Sequence, residues 1–480
     1  MSATRSSDVV VGIDLGTSAL KAVAVSADGS VIASARRSYP THRPAPGRAE
    51  QDPADWIAAL RHVVSELDAA ARAGAWSGIG LSGMIPTLVT LDDRGEPNGP
   101  AITWEDARAE GEGEEFRSFA DADDLYGRTG QWIDGRYLLP MFRWMERHDP
   151  ERAASTAVVL GAKDFLFEWL TGERATDPST ATGFGCYDLG DGRWIDGLVP
   201  GVALPVVRES SFAAELLDDR ADELSVPRRI PVTLGAADSV CAALGVGATD
   251  PGDCAYVWGT STVVLGVAPD LRPDRAHRFL VTPLAAGTAF GLEMDLLSTG
   301  AALAWVSALF GVDGAAEVLR LAEASAPGAN GVTFLPYLAF GEQGALWDPD
   351  LRGAIDGLTI AHTREDVARG LVEAIAVESR RAVEVLAESG VAAPEIRVTG
   401  AVAGERFFLR ELANATQRAV GAIEHVSAAA AGAASLASGA KPPSAAEVDP
   451  IEPDTATSDF WVERQACVDE LRESLRPENR

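Results

Sequence analysis

Cysteine is scarce in this chain. Four thiols, Cys186, Cys241, Cys254 and Cys467, are spread over 480 residues without the paired spacing that a disulfide framework or a zinc site needs. That pattern suits a reducing compartment. Lysine is scarcer still, with Lys21, Lys163 and Lys441 the whole complement. Acidic residues outnumber basic ones by 71 to 41, for a formal charge of −30. Nucleic acid and an anionic bilayer would both be repelled, so neither is an expected partner. Long apolar runs are also missing. The most apolar late stretch, residues 428–440, is rich in Ala, Gly and Ser and too short and weak to span a bilayer. The opening residues lead at once into a short strand-like run and read as no secretory segment, so a cytoplasmic protein is expected.

The hydrophobic share of 46% is enough for two sizeable cores, and the length suggests two to three domains. The stretch that organises the chain is residues 9–25. An apolar run, Val9 to Ile13, leads into Asp14, a Gly16-Thr17-Ser18 turn, Lys21 and a second alternating strand. Gly16 lets a ligand come close, and the turn amides with Thr17 and Ser18 can donate to phosphate oxygens. Asp14 at the strand end can hold a hard cation such as Mg²⁺. A plain hairpin capped by turn-formers is the rival reading, and Asp14 and Lys21 flanking the turn weigh against it.

Half a chain later the design recurs. Residues 254–267 run strand, Gly259-Thr260-Ser261, strand, and a repeat at that spacing points to two similar domains. Neither copy has the Gly-x4-Gly-Lys-Ser/Thr pattern of an ordinary P-loop. Between the copies, Leu234-Gly235-Ala236-Ala237-Asp238-Ser239 reads as a strand end, a narrow turn and a helix start. Asp238 sits where an Asp would cap a helix, its default role. The narrow approach and the place just before the second turn argue for more.

With these motifs in family order, the chain resembles the FGGY family of carbohydrate kinases, nearest its xylulokinase-like members. Residues 13–18 with Lys21 resemble that family's first phosphate motif, and Gly259-Thr260-Ser261 its second. Gly235-Ala236-Ala237-Asp238 resembles the Gly-Gly-x-Asp segment whose Asp is the catalytic base. Pro100 to Arg108 is similar to Pro-Ala-Ile-x-Trp-x-Asp-x-Arg. Trp104 there offers a flat face to a sugar and Asp106 and Arg108 polar ends, although Asp106 as the cap of a helix is an equal alternative. Met84-Ile85-Pro86-Thr87 stands where the family carries Gln-Met-His-Gly, and the lost donors change which sugar hydroxyls can be satisfied. Residues 161–166, 170–173 and 176–181 resemble a Lys-Asp…Leu-Thr-Gly-Glu…Thr-Asp-x-Ser block, read mainly as architecture. Gln51-Asp52-Pro53-x-x-Trp56 also resembles the family and reads as a helix start without chemistry, at the end of a Pro-rich surface loop from Pro40. Gly300 to Trp305 resembles the family's Gly…Trp helix start, which implies that Gly300 lies near the nucleotide. Gly400-Ala401-Val402 replaces a glycine-rich adenosine grip, its two alanine- and valine-substituted positions hindering close approach. At Gly341-Glu342-Gln343, Gln343 replaces the usual Arg.

The resemblance implies an α/β fold of two similar actin-like ATPase (ribonuclease H-like) domains around a central cleft. They would span 1–245, on the sugar and phosphate side, and 246–480, on the nucleotide side with a C-terminal helix. It implies ATP-dependent phosphorylation of a hydroxyl on a small sugar or polyol, a xylulose-like ketose foremost, with Asp238 as general base. ATP would be held by Asp14, Gly16, Thr17, Ser18, Lys21, Gly259, Thr260, Ser261, Gly300, Gly400 and Ala401. Mg²⁺ falls to Asp14 and Asp238, and the acceptor to Met84, Ile85, Pro86, Trp104, Asp106, Arg108, Asp238 and Ser239. A homodimer is among the assemblies open to it. The alternatives are a catalytically weak, sugar-sensing regulator and an actin-like ATPase with another task.

Overall fold

The computed structural model describes residues 9–27, 29–71, 73–119, 121–198, 201–339, 344–348, 350–423, 427–440 and 449–476. Asp28, whose Asp-Gly pair signals a turn, the Gly341-Glu342-Gln343 motif, Lys441 and the start of the polar stretch from Pro442 lie outside these residues. The chain divides into two compact units. The first takes residues 1–249, 281–290 and 426–444, the second 250–280, 291–425 and 445–480.

In the first unit, the expected hairpin is formed by strands Val9–Leu15 and Ala19–Ser26, paired antiparallel with Asp14 opposite Lys21. Val31–Ser38 adds a third antiparallel strand. On the other side of the hairpin, Trp76–Gly83 and then Pro231–Ala237 pair in parallel. The second unit repeats this plan. Cys254–Trp258 and Thr262–Ala268 make the hairpin, Phe290–Leu296 lies beyond the second of these strands, and Glu395–Gly400 and Ala419–Ile423 extend the first in parallel. Both sheets therefore contain the order 3-2-1-4-5 about a hairpin whose tip is Gly-Thr-Ser.

Strand Val9–Leu15 is buried on both faces, as its unbroken apolar run requires. Val9, Val11, Ile13 and Leu15 point into a large core with Trp56, Leu60 and Leu81. Val10, Val23 and Val25 meet Ala430, Ala431 and Ala434. Those alanines belong to helix Ala428–Ser438, which packs into the first unit although it comes late in the chain. Its fit is backbone to backbone. A Cβ on Gly12 would lie 1.8 Å from the Ala430 carbonyl oxygen, and one on Gly80 2.0 Å from that of Ala433. Helix Asp238–Gly245 adjoins it just as closely, a Cβ on Gly432 falling 1.8 Å from the Cys241 oxygen.

In the second unit, Thr363 and Asp366 close a capping box on the 25-residue helix Arg364–Glu388. The terminal helix Ser458–Ser474 is pinned to it by Arg464 on Glu373 at 2.9 Å and Arg381 on Asp469 at 2.7 Å. Among the described residues no single helix is long and apolar enough to cross a membrane.

Gly80→Val is expected to destabilise the protein by about 3 kcal/mol or more, because the helix backbone leaves nowhere for the side chain to go. Chemical denaturation of the full chain checks this, and a loss below about 1 kcal/mol would contradict the packing.

Candidate active site

Asp14 ends the first strand with 3% of its surface exposed. Ser427 Oγ donates to its Oδ2 at 3.0 Å and Ser82 Oγ to its Oδ1 at 3.5 Å. Lys21 Nζ stands 3.7 Å from Oδ2, its side chain one-third exposed. Ser427 is also the N-cap of helix Ala428–Ser438, accepting from the Ala430 amide, so the positive end of that helix dipole lies beside the carboxylate. Beyond Asp14 the turn is closed by Gly16 N donating to Ala19 O. Thr17 Oγ1 accepts the Trp104 indole N–H at 2.9 Å, which joins the Gly-Thr-Ser turn to the flat ring.

Asp238 reaches the same sheet edge by register. Asp14 lies level with Ser82, and Ser82 with Ala236; Leu15 lies level with Gly83, and Gly83 with Ala237. Asp14 and Asp238 therefore leave the carboxyl edge of three adjacent parallel strands from strands two apart, about 10 Å between axes. That edge is where open parallel sheets bind ligands. Gly235 makes the last step possible. Its φ of +73° is left-handed, and a Cβ there would lie 1.6 Å from Leu81 O, so the register shifts between Thr233 and Ala236. Asp238 is the first residue of its helix, and Ala237 is the cap. The half-buried Asp238 carboxylate accepts from the Ser239 amide at 2.9 Å, and Ser239 itself is buried.

Behind Asp238 sits an ionic cluster sealed from solvent. Lys163 Nζ is 2.8 Å from Asp164 and 3.2 Å from Asp177, with all three side chains at 0% exposure. Burial alone would lower the lysine pKa, yet the two carboxylates carry it above its usual value. Asp177 also accepts from the hydroxyls of Ser179, Thr180 and Ser210. Ser179 Oγ in turn accepts from Ala237 N at 2.9 Å, so the cluster holds the peptide that precedes Asp238. The block read as architecture thus braces the candidate base. Its spacing carried no sign of this, because the contact spans 58 residues.

The expected acceptor residues divide. Met84 is drawn into the core at 1% exposure, while Ile85 and Pro86, joined by a cis peptide bond, stay half-buried. Trp104 keeps a partly exposed ring. Asp106 caps no helix, the next helix beginning at Glu110. Its buried carboxylate accepts from Ala49 N at 2.6 Å and from Arg108. Arg108 donates to Asp106 and, at 2.6 Å, to Glu50, with its guanidinium over the Trp144 ring. Both side chains brace this wall, with their charges spent on each other.

In the second unit, Gly259, Thr260, Ser261, Gly300, Gly400 and Ala401 gather at the carboxyl end of strand Cys254–Trp258. Gly300 opens helix Gly300–Phe310, and a Cβ on it would lie 2.2 Å from Gly259 O. Gly400, at φ +99°, would place a Cβ 2.0 Å from Trp258 O. Ala401 is exposed and Val402 is 2% exposed, so the valine side chain is tucked into the fold.

Two Gly-Thr-Ser tips on sheets of one plan, with carboxylates on the strand edge of the first, are the parts of a phosphotransferase of actin-like fold. Residues 9–245 match the N-terminal domain model of the FGGY family of carbohydrate kinases, and residues 254–440 match its C-terminal domain model. The chain belongs to that family, whose members phosphorylate sugars with ATP. It is 30% identical over 446 residues to the xylulose kinase of Staphylococcus epidermidis, covering 90% of this chain and 87% of that one. It is 27% identical to the gluconokinase of Bacillus subtilis, covering 76% and 74% respectively. The crystal structure of xylulose kinase from Rhodospirillum rubrum superposes with a TM-score of 0.88 at 30% identity, covering 98% of this chain and 99% of that one. These likenesses do not favour the regulator or an ATPase with another task.

Lys163→Met is expected to cost about 3–5 kcal/mol by leaving two buried carboxylates uncompensated. Urea unfolding measures it, and a change under 1 kcal/mol would mean that the cluster carries no net charge to balance.

Proposed function

We propose that this kinase phosphorylates a neutral, xylulose-like ketose, with Asp238 as general base. The observation that carries the assignment is the register, which brings Asp14, the Ile85-Pro86 turn and Asp238 to one carboxyl edge. Trp104 and Pro86 offer apolar surface to the C–H face of a sugar, and the ring is already tied to Thr17. An aldonate acceptor gains nothing from Arg108, which is committed to Asp106 and Glu50.

Asp238 would accept the proton of the attacking hydroxyl as the new O–P bond forms and the bond between the β,γ-bridging oxygen and the γ-phosphorus breaks, releasing ADP. Such transfers pass through a loose transition state, so positioning and charge neutralisation supply most of the catalysis. In the first unit Thr17 and Ser18 would donate to phosphate oxygens; in the second, Thr260, Ser261, Gly300, Gly400 and Ala401 would be nucleotide contacts. Among the described residues no group of three or more His, Cys, Asp or Glu is arranged to hold a metal alone. Mg²⁺ is commonly held by one or two carboxylates together with substrate phosphates. Asp14, a buried oxygen donor, is the carboxylate that fits, with Asp238 second. The bound ion would neutralise phosphate charge. We place the enzyme in the cytoplasm.

Asp238→Ala should lower kcat by about 10²–10⁴-fold while ATP binding stays within about twofold. A coupled ADP-release assay with calorimetry checks both, and near-normal turnover would refute the assignment of the base. A screen of ketoses, aldoses, polyols and aldonates with Mg²⁺ present should give its highest kcat/KM on a ketose; an aldonate in first place would overturn the acceptor class.

A further inference from the structure

We propose that Tyr39 and Gln51 are positioning residues that aim the first phosphate-binding turn by holding its carbonyls from behind. The inference rests on reading that turn as the nucleotide grip. Tyr39 OH donates to Gly16 O, and Gln51 Nε2 donates to Thr17 O at 2.7 Å. In a trans peptide the C=O and N–H of one unit point in opposite directions. Fixing the Gly16 carbonyl therefore fixes the Thr17 N–H, and fixing the Thr17 carbonyl fixes the Ser18 N–H. Neither amide donates to another group among the described residues. Both are left facing away from the protein side of the turn, where Ser18 is exposed. Two adjacent amides held this way form an anion cradle.

The brace is itself over-determined. Trp56 Nε1, which can only donate, meets Gln51 Oε1 at 2.9 Å. That contact settles which end of the Gln51 amide is oxygen, so the NH2 group must face Thr17 O and Thr41 Oγ1, at 2.7 and 2.8 Å. Gln51 is 0% exposed and its polar groups are all engaged. Tyr39 is held as a protonated donor, its pKa raised first by burial and then by the charge of Asp14. The second unit uses the same device, its Thr260 carbonyl taken by the Ala301 amide at 2.9 Å. Residues 51–56 thus serve the phosphate site as well as starting a helix.

Calorimetric titration of the full-length protein with Mg·ATP, and separately with xylulose, tests the proposal. Tyr39→Phe and Gln51→Met should each weaken ATP binding by about three- to tenfold, with sugar affinity within twofold and the melting profile still cooperative. Gly16→Val, which alters the turn itself, serves as reference. If Gly16→Val weakens ATP binding while both brace variants match wild type, the brace is refuted and the phosphate turn stands. If Gly16→Val also leaves ATP affinity unchanged, the reading of the turn fails and the brace with it. Equal loss of sugar and ATP affinity in the brace variants likewise overturns the proposal. Should Gln51→Met not fold, Tyr39→Phe, which deletes one oxygen atom, decides alone.

Discussion

The first unit depends on a contact in which side chains take almost no part. Helix Ala428–Ser438 lies with its carbonyls against Gly12, Gly80 and Gly245, close enough to fix its distance from two strands and a neighbouring helix at once. Alanine and glycine are required where this helix meets the sheet and the neighbouring helix, because anything larger there would lift it off. Once seated, the helix sets its N-cap, Ser427, on Asp14. The charge of the candidate metal ligand is thereby met by a hydroxyl, a helix terminus and Lys21 together, which keeps an almost fully buried carboxylate in place in a chain of strongly negative net charge.

The same economy governs the lysines. Lys163 fits between Asp164 and Asp177 because Gly83 leaves it room, a Cβ there falling 2.9 Å from that of Lys163. A compact ammonium with three rotatable donors suits such a site better than the broad planar fork of arginine. In the second unit, where the buried cations Arg369 and Arg464 bridge several elements through Glu373 and Glu411, arginine is used instead.

Much of this was legible in the chain. The two hairpin tips, the long helix from Arg364, the strand before Gly400 and the helix at Asp238 announce themselves through period, caps and turn residues, which are local properties. What stayed hidden is contact across long sequence separations. The alanine-rich segment reads as a tightly packed helix, but no spacing tells that it seats on the first sheet. Gln51 looked like the end of a surface loop, and only the fold shows it buried between Trp56 and Thr17. Asp106 and Arg108 carry the polarity of a binding pair. Yet two residues of opposite charge that close together can satisfy each other, and here they do. Met84 lies at the right turn, but its backbone donates to Leu15 O and its side chain follows into the core.

One consequence concerns biosynthesis. Ser427 and Asp14 are separated by 413 residues, and at about 5–20 residues per second a ribosome needs about 20–80 s to travel between them. Throughout that interval Gly12 and Gly80 lack the helix that packs on them, and Asp14 lacks its Ser427 hydroxyl partner. The unfinished polypeptide thus has its first Gly-Thr-Ser tip before it has the hydroxyl that holds the neighbouring carboxylate.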